Sequence, residues 1–143
     1  MKKNVLLAFC ISMFLSFPAL AQGNEADLYA FSKKIIEVFS SGDKEAYMDI
    51  LHPQCPAPNP DRLAWQLSSR WQKDRVDSRI KKLAEAYDRE QLDFIVEPQY
   101  ALEFQVWILR SDGREIELVT GYPIALHDGE MKILDYPCFE PKK

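Results

Sequence analysis

Residues 100–138 read YALEFQVWILRSDGREIELVTGYPIALHDGEMKILDYPC, and the pattern in this stretch decides the fold. Apolar and polar residues alternate with period two, the spacing of a strand with one buried face. Tyr100–Leu109 reads as one strand, residues 115–126 as a second and residues 131–138 as a third. Asp112-Gly113 and Asp128-Gly129 fall between them. Asp-Gly is a strong hairpin signal, because both central positions of a type I′ turn need positive φ. An antiparallel meander follows, with Phe94-Ile95-Val96 as a further short strand ahead of it.

Upstream, the period changes to that of helices. Asn24 reads as a cap, and Leu28, Phe31, Ile35 and Val38/Phe39 then form one apolar stripe. Ser40-Ser41-Gly42 ends this helix. Asp43 caps a short second one, whose Ala46, Tyr47, Ile50 and Leu51 face inward, and Pro53 stops it. Residues 52–60 hold Pro53, Pro56, Pro58 and Pro60, which makes a stiff loop around Cys55. Asn59 and Pro60 open a third helix as cap and first residue. Residues 61–90 are helical in pattern, through Leu63, Leu67, Trp71, Val76, Ile80, Leu83 and Tyr87. The phase slips near Ser68-Ser69 and Asp74, so this stretch is one kinked helix or two. Helices first and a meander after predict an α+β domain, with N-terminal helices packed on a curved antiparallel sheet.

The first residues carry a different signal. Lys2 and Lys3 precede an apolar run from Val5 to Leu15, and Ala19-Leu20-Ala21 has the small-x-small pattern of a cleavage site. Residues 1–21 therefore read as an export signal, and residues 22–143 as one domain. The apolar run is shorter than the roughly 20 residues that span a bilayer. The whole chain has 143 residues and a net charge of −4; without Lys2 and Lys3 the charge is −6. An acidic exported domain is a poor partner for nucleic acid or an anionic membrane surface. Of the three cysteines, Cys10 lies in the signal, which leaves Cys55 and Cys138. An even pair in an oxidising compartment reads as one disulfide. Neither has ligands at metal-site spacing, and no cofactor is implied.

Two stretches resemble a known family. Phe39-Ser40-Ser41-Gly42-Asp43-Lys44-Glu45-Ala46-Tyr47 through Leu51-His52-Pro53 looks like the first-helix exit and second helix of the nuclear transport factor 2-like, or SnoaL-like, superfamily. Asp128-Gly129-Glu130-Met131-Lys132-Ile133-Leu134-Asp135 is similar to that family's closing hairpin, which often has tryptophan where Met131 stands. The resemblance implies a cone with an apolar pocket between sheet and helices. Its members include isomerases, dehydratases, cyclases and non-catalytic binding or assembly modules, so it leaves function open.

If both Asp-Gly pairs form two-residue turns, the register follows by counting. It puts Glu103 opposite Tyr122, Tyr122 opposite Asp135, Gln105 opposite Thr120 and Trp107 opposite Leu118, all on one face. The row Glu103–Tyr122–Asp135 is then the candidate catalytic set, because a half-buried carboxylate beside a phenol suits acid–base work. Trp107, Tyr122, Leu118, Ile133 and Trp71 are the candidate pocket lining, within an interior that also holds Trp65, Tyr100, Phe104 and Tyr136. His52, before Pro53 at a helix end, reads first as a cap on backbone carbonyls. Residues 61–90 carry net +2 and residues 91–135 net −6, which suits docking of one copy's helix on another's sheet as a homodimer. Three functions fit: a non-catalytic exported protein binding a small apolar molecule or an envelope protein, a lyase or isomerase on a hydrophobic carbonyl compound, and an envelope assembly subunit.

Overall fold

The computed structural model describes residues 19–143. The expected signal, residues 1–21, lies outside them apart from its last three positions. Helix α1 (Ala19–Ser41) runs through Asn24, which is therefore not its cap; one Asn inside a helix costs only tenths of a kcal/mol. Its stripe Leu28, Phe31, Ile35, Val38 and Phe39 is buried throughout. Helix α2 (Lys44–Ile50) is capped by Asp43, whose carboxylate accepts from the amides of Glu45 and Ala46. Helix α3 (Pro60–Ser68) starts at the Asn59 cap with Pro60 in its first turn.

Beyond Ser68 the helical expectation fails. The chain instead forms β1 (Arg70–Trp71), a 3-10 turn (Lys73–Arg75), β2 (Asp77–Lys81) and one helical turn, α4 (Leu83–Ala86). Val76 and Ile80 are four apart, a spacing that fits a helix and also two steps along a strand. The choice is made by pairing. β1 and β2 both lie antiparallel on β4 (Tyr100–Leu109), with Asp77 opposite Gln105 and Lys81 opposite Ala101. Asp77 and Arg79 face out, as charges on an edge strand commonly do. Cations of this stretch, expected on a long helix, instead meet nearby acids: Lys73 pairs with Glu37, Arg75 with Glu115, Lys81 with Glu103 and Lys82 with Glu85.

The main sheet runs β1-β4-β5-β6, with β2 also on β4; β5 is Glu115–His127 and β6 is Glu130–Ile133. Helices and a curled antiparallel sheet make an α+β, cone-like domain. A small second sheet pairs β3 (Leu92–Phe94) with β7 (Phe139–Pro141). Leu102, Phe104, Val106 and Ile108 of β4 point into the core and are at most 5% exposed. Phe39 of α1 stacks on Trp71 at 4.7 Å, and Trp71 meets Phe104 at 5.0 Å.

The two hairpins differ. Asp128 (φ 50°) and Gly129 (φ 80°) form a two-residue turn, so Ile124 faces Ile133 and Tyr122 comes level with Asp135, as counting predicts. In the other hairpin Arg110 donates to the Arg114 carbonyl at 2.9 Å. Ser111, Asp112 and Gly113 make a three-residue loop, with Gly113 at φ 80° and the Asp112 carboxylate accepting from the Arg114 amide. The extra loop residue slips the register by one. Glu103 faces Gly121, Leu102 faces Tyr122, Gln105 faces Val119 and Trp107 faces Glu117. Because side chains alternate, the slip sends Glu103, Gln105 and Trp107 to the outer face.

Cys55 and Cys138 are bonded, with Cα atoms 4.8 Å apart, and tie the proline-rich loop to the chain's last turn. Among the described residues no helix is long and apolar enough to cross a membrane.

Candidate functional site

Asp135 lies just past β6, where the Leu134 amide still donates to the Pro123 carbonyl of β5. It is 3% exposed. Burying a carboxylate is costly without partners, and this one has four. Oδ2 accepts from the Tyr47 hydroxyl at 2.5 Å and from Gln66 Nε2 at 2.8 Å. Oδ1 accepts from an Arg62 guanidinium nitrogen at 3.0 Å and from the Tyr136 amide at 2.7 Å. Arg62 and Gln66 are four apart on α3, hence on one helix face. Tyr47 comes from the buried side of α2. One carboxylate thus joins α2, α3 and the end of the sheet.

A carboxylate offers about four acceptor positions, and all four are taken. Burial, then the Asp135 charge and its hydrogen bond, push the Tyr47 hydroxyl well above the usual phenol range. Burial and the same charge do so for Tyr122. Both phenols stay protonated, and Tyr47 donates to Asp135.

Beside this cluster is a cavity of about 110 Å³ between α3 and the inner face of β4 and β5. Phe39, Trp71, Ile108, Leu118 and Tyr122 form apolar walls, with Arg62, Gln66 and Ser69 along one side. Trp65, at 49% exposed, also lines it. Gln66 is only 7% exposed. Its nitrogen must face the acceptor-only carboxylate of Asp135, so its oxygen points elsewhere, and that buried oxygen has no protein partner. An unmet buried acceptor costs about 1–3 kcal/mol.

The structure brings Tyr122 and Asp135 together on the inner face, and places Trp71, Leu118 and Tyr122 around the cavity. It does not add Glu103, which sits on the outer face beside Lys81 at 3.6 Å. Trp107 is also outside, with the Arg75 guanidinium 3.9 Å above its ring. Ile133 is fully buried in the core and is not part of the cavity wall. The one-residue loop difference accounts for Glu103 and Trp107. His52 is 2% exposed, and its Nδ1 accepts from the Gln54 amide at 3.2 Å. Its ring lies 5.2 Å from that of His127, outside the cavity. Burial first, then His127, hold its pKa below the ordinary value.

Tyr47, Arg62 and Gln66 are absent from the sequence-based set. Their signal is a Tyr and a Gln on otherwise apolar helix faces, which demand a buried partner. A larger, open groove of about 550 Å³ lies between the start of α1 and the β5–β6 turn, bordered by Asp27, Lys34 and Glu130. It touches none of the candidate residues. Among the described residues, no three His, Cys, Asp or Glu stand close enough to hold a metal ion. No protein-family model matches the chain, and no curated protein matches its sequence.

Proposed function

We propose that this chain is an exported, non-catalytic cone-fold protein that holds a small apolar ligand in the Gln66 cavity. The observation that carries the reading is the cavity beside Asp135, lined by Phe39, Trp71, Ile108, Leu118 and Tyr122 together with the polar side chains of Arg62, Gln66, Ser69 and Thr120. Such a site suits a ligand with an apolar body and one polar group. Its volume, about 110 Å³, is below the roughly 300 Å³ where drug-sized pockets begin, so the ligand is about one ring in size. Export is supported by the basic and apolar start, by Ala19-Leu20-Ala21 and by the Cys55–Cys138 bond. A lyase or isomerase using Tyr122 and Asp135 is less well supported. A general base needs a free acceptor position, and Asp135 has all four engaged.

Thermal melting with single-ring probes tests the proposal. Phenol carries a hydroxyl for the polar side of the cavity, and toluene matches its size without one. Phenol raises the melting temperature more than toluene does, and Gln66→Leu removes that preference. Equal or absent shifts with both probes would overturn it.

A further inference from the structure

Arg62, Trp65, Gln66 and Ser69 stand at i, i+3, i+4 and i+7 along α3 and its C-cap, so one helix face makes a side of the cavity beside Asp135. Exposure is graded along it. Arg62 and Trp65 are exposed and mark the mouth, whereas Phe39, Trp71 and Ile108 are buried and mark the closed end. A ligand therefore enters with its apolar part first and keeps its polar part beside Arg62. Charge at the cavity is one-sided. Arg62 is the one charged side chain among the described residues that line it. Asp135 is not part of the wall; it is buried, and four donors already share its charge. A guanidinium carries five N–H donors in a planar fork, and one nitrogen of Arg62 reaches Asp135, at 3.0 Å. Among the described residues no second acid pairs with Arg62. The Tyr136 ring, with its centroid 5.2 Å from the guanidinium carbon, meets the flat face and not the N–H edge.

We infer that the polar group of the cavity's ligand is a carboxylate, held at the mouth by the N–H groups of Arg62 that Asp135 leaves. The inference rests on the cavity being a ligand site, and it names the class taken there: a one-ring carboxylic acid in its ionised form. The ring packs against Phe39 and Trp71, and the carboxylate lies across the guanidinium fork, whose parallel N–H bonds match its two oxygens. Ser69, Thr120 and Tyr122 add hydroxyls that can donate to the same group. One guanidinium balances one carboxylate, whereas a phosphate monoester would bring about −1.5 to −2 charges. The pairing is stronger than one in open water, because the apolar end of the cavity lowers the local dielectric.

Calorimetric titration at pH 7 with benzoate, and with benzamide as its uncharged counterpart, tests the inference. The unaltered protein binds benzoate at least about tenfold more tightly than benzamide. Arg62→Gln brings the two affinities within about twofold of each other. If that variant misfolds, salt decides the matter on the unaltered protein. Raising sodium chloride from about 50 to about 500 mM weakens benzoate binding several-fold and leaves benzamide nearly unchanged. Benzamide bound as tightly as benzoate, a preference that survives Arg62→Gln, or a benzoate affinity that ignores salt would overturn the carboxylate. Where phenol still raises the melting temperature in those cases, the cavity reading stands and this inference alone falls. No binding of benzoate, benzamide or phenol would overturn both.

Discussion

Removing the Asp135 carboxylate should unfasten three elements at once. In Asp135→Ala the Tyr47 hydroxyl and the Gln66 amide, both buried, lose their acceptor, and so does the Tyr136 amide. Arg62, with its side chain 41% exposed, turns to water and contributes little. Two orphaned buried donors at about 1–3 kcal/mol each, plus the weaker loss at Tyr136, give a destabilisation of roughly 3–5 kcal/mol. For a domain of this size that is a drop of roughly 10–20 °C in Tm. Urea unfolding at pH 7, followed by tryptophan fluorescence, measures it. The companion variant Tyr47→Phe costs about 1.5–3 kcal/mol alone, the worth of a hydrogen bond to a charged group. In the Asp135→Ala background it should be stabilising, because it removes the orphaned hydroxyl, so the cycle shows a coupling of at least about 1.5–3 kcal/mol. A loss below about 1 kcal/mol in Asp135→Ala, or additive effects in the cycle, would refute the view of Asp135 as a structural tie.

Two further outcomes follow from the same contacts. The Cys55–Cys138 bond spans 83 residues, so replacing both cysteines by alanine should lower unfolding stability by about 4–5 kcal/mol in the chain-entropy model, read from urea midpoints. His52 has its pKa depressed in the folded state, by burial first and His127 second, so its stabilisation is complete above the ordinary value near 6.5 and is lost as pH falls towards the folded pKa. Unfolding measured between neutral pH and pH 5 should show this decline, and His52→Gln should flatten it; an unchanged slope would count against the buried neutral imidazole.

Local chemistry made much of the fold readable. Asp43 and Asn59 cap where their side chains can reach free amides, and Asp128-Gly129 sets its hairpin because both residues accept positive φ. What escaped depends on distant partners. Residues 70–81 carry a spacing common to helix and strand, and only β4's open edge selects the strand. Asp112-Gly113 is compatible with loops of two or three residues, and the longer one reverses which face Glu103 and Trp107 occupy. The Asp135 cluster draws on residues up to 88 positions apart, so no local pattern could assemble it. Gln66 stands three residues after Leu63, a helical spacing that could have flagged it as a polar residue on the buried side of α3.

The cavity is the central claim, and the three tryptophans supply an internal control. Trp65 and Trp71 line it, while Trp107 lies on the outer face under Arg75. A nitrogen–proton correlation spectrum of the labelled protein, titrated with phenol, reports all three indole N–H groups and the Gln66 side-chain amide. Saturable shifts at Trp65, Trp71 and Gln66, with Trp107 unmoved, are the predicted result. Shifts at all three indoles alike, or none at Gln66, would contradict it.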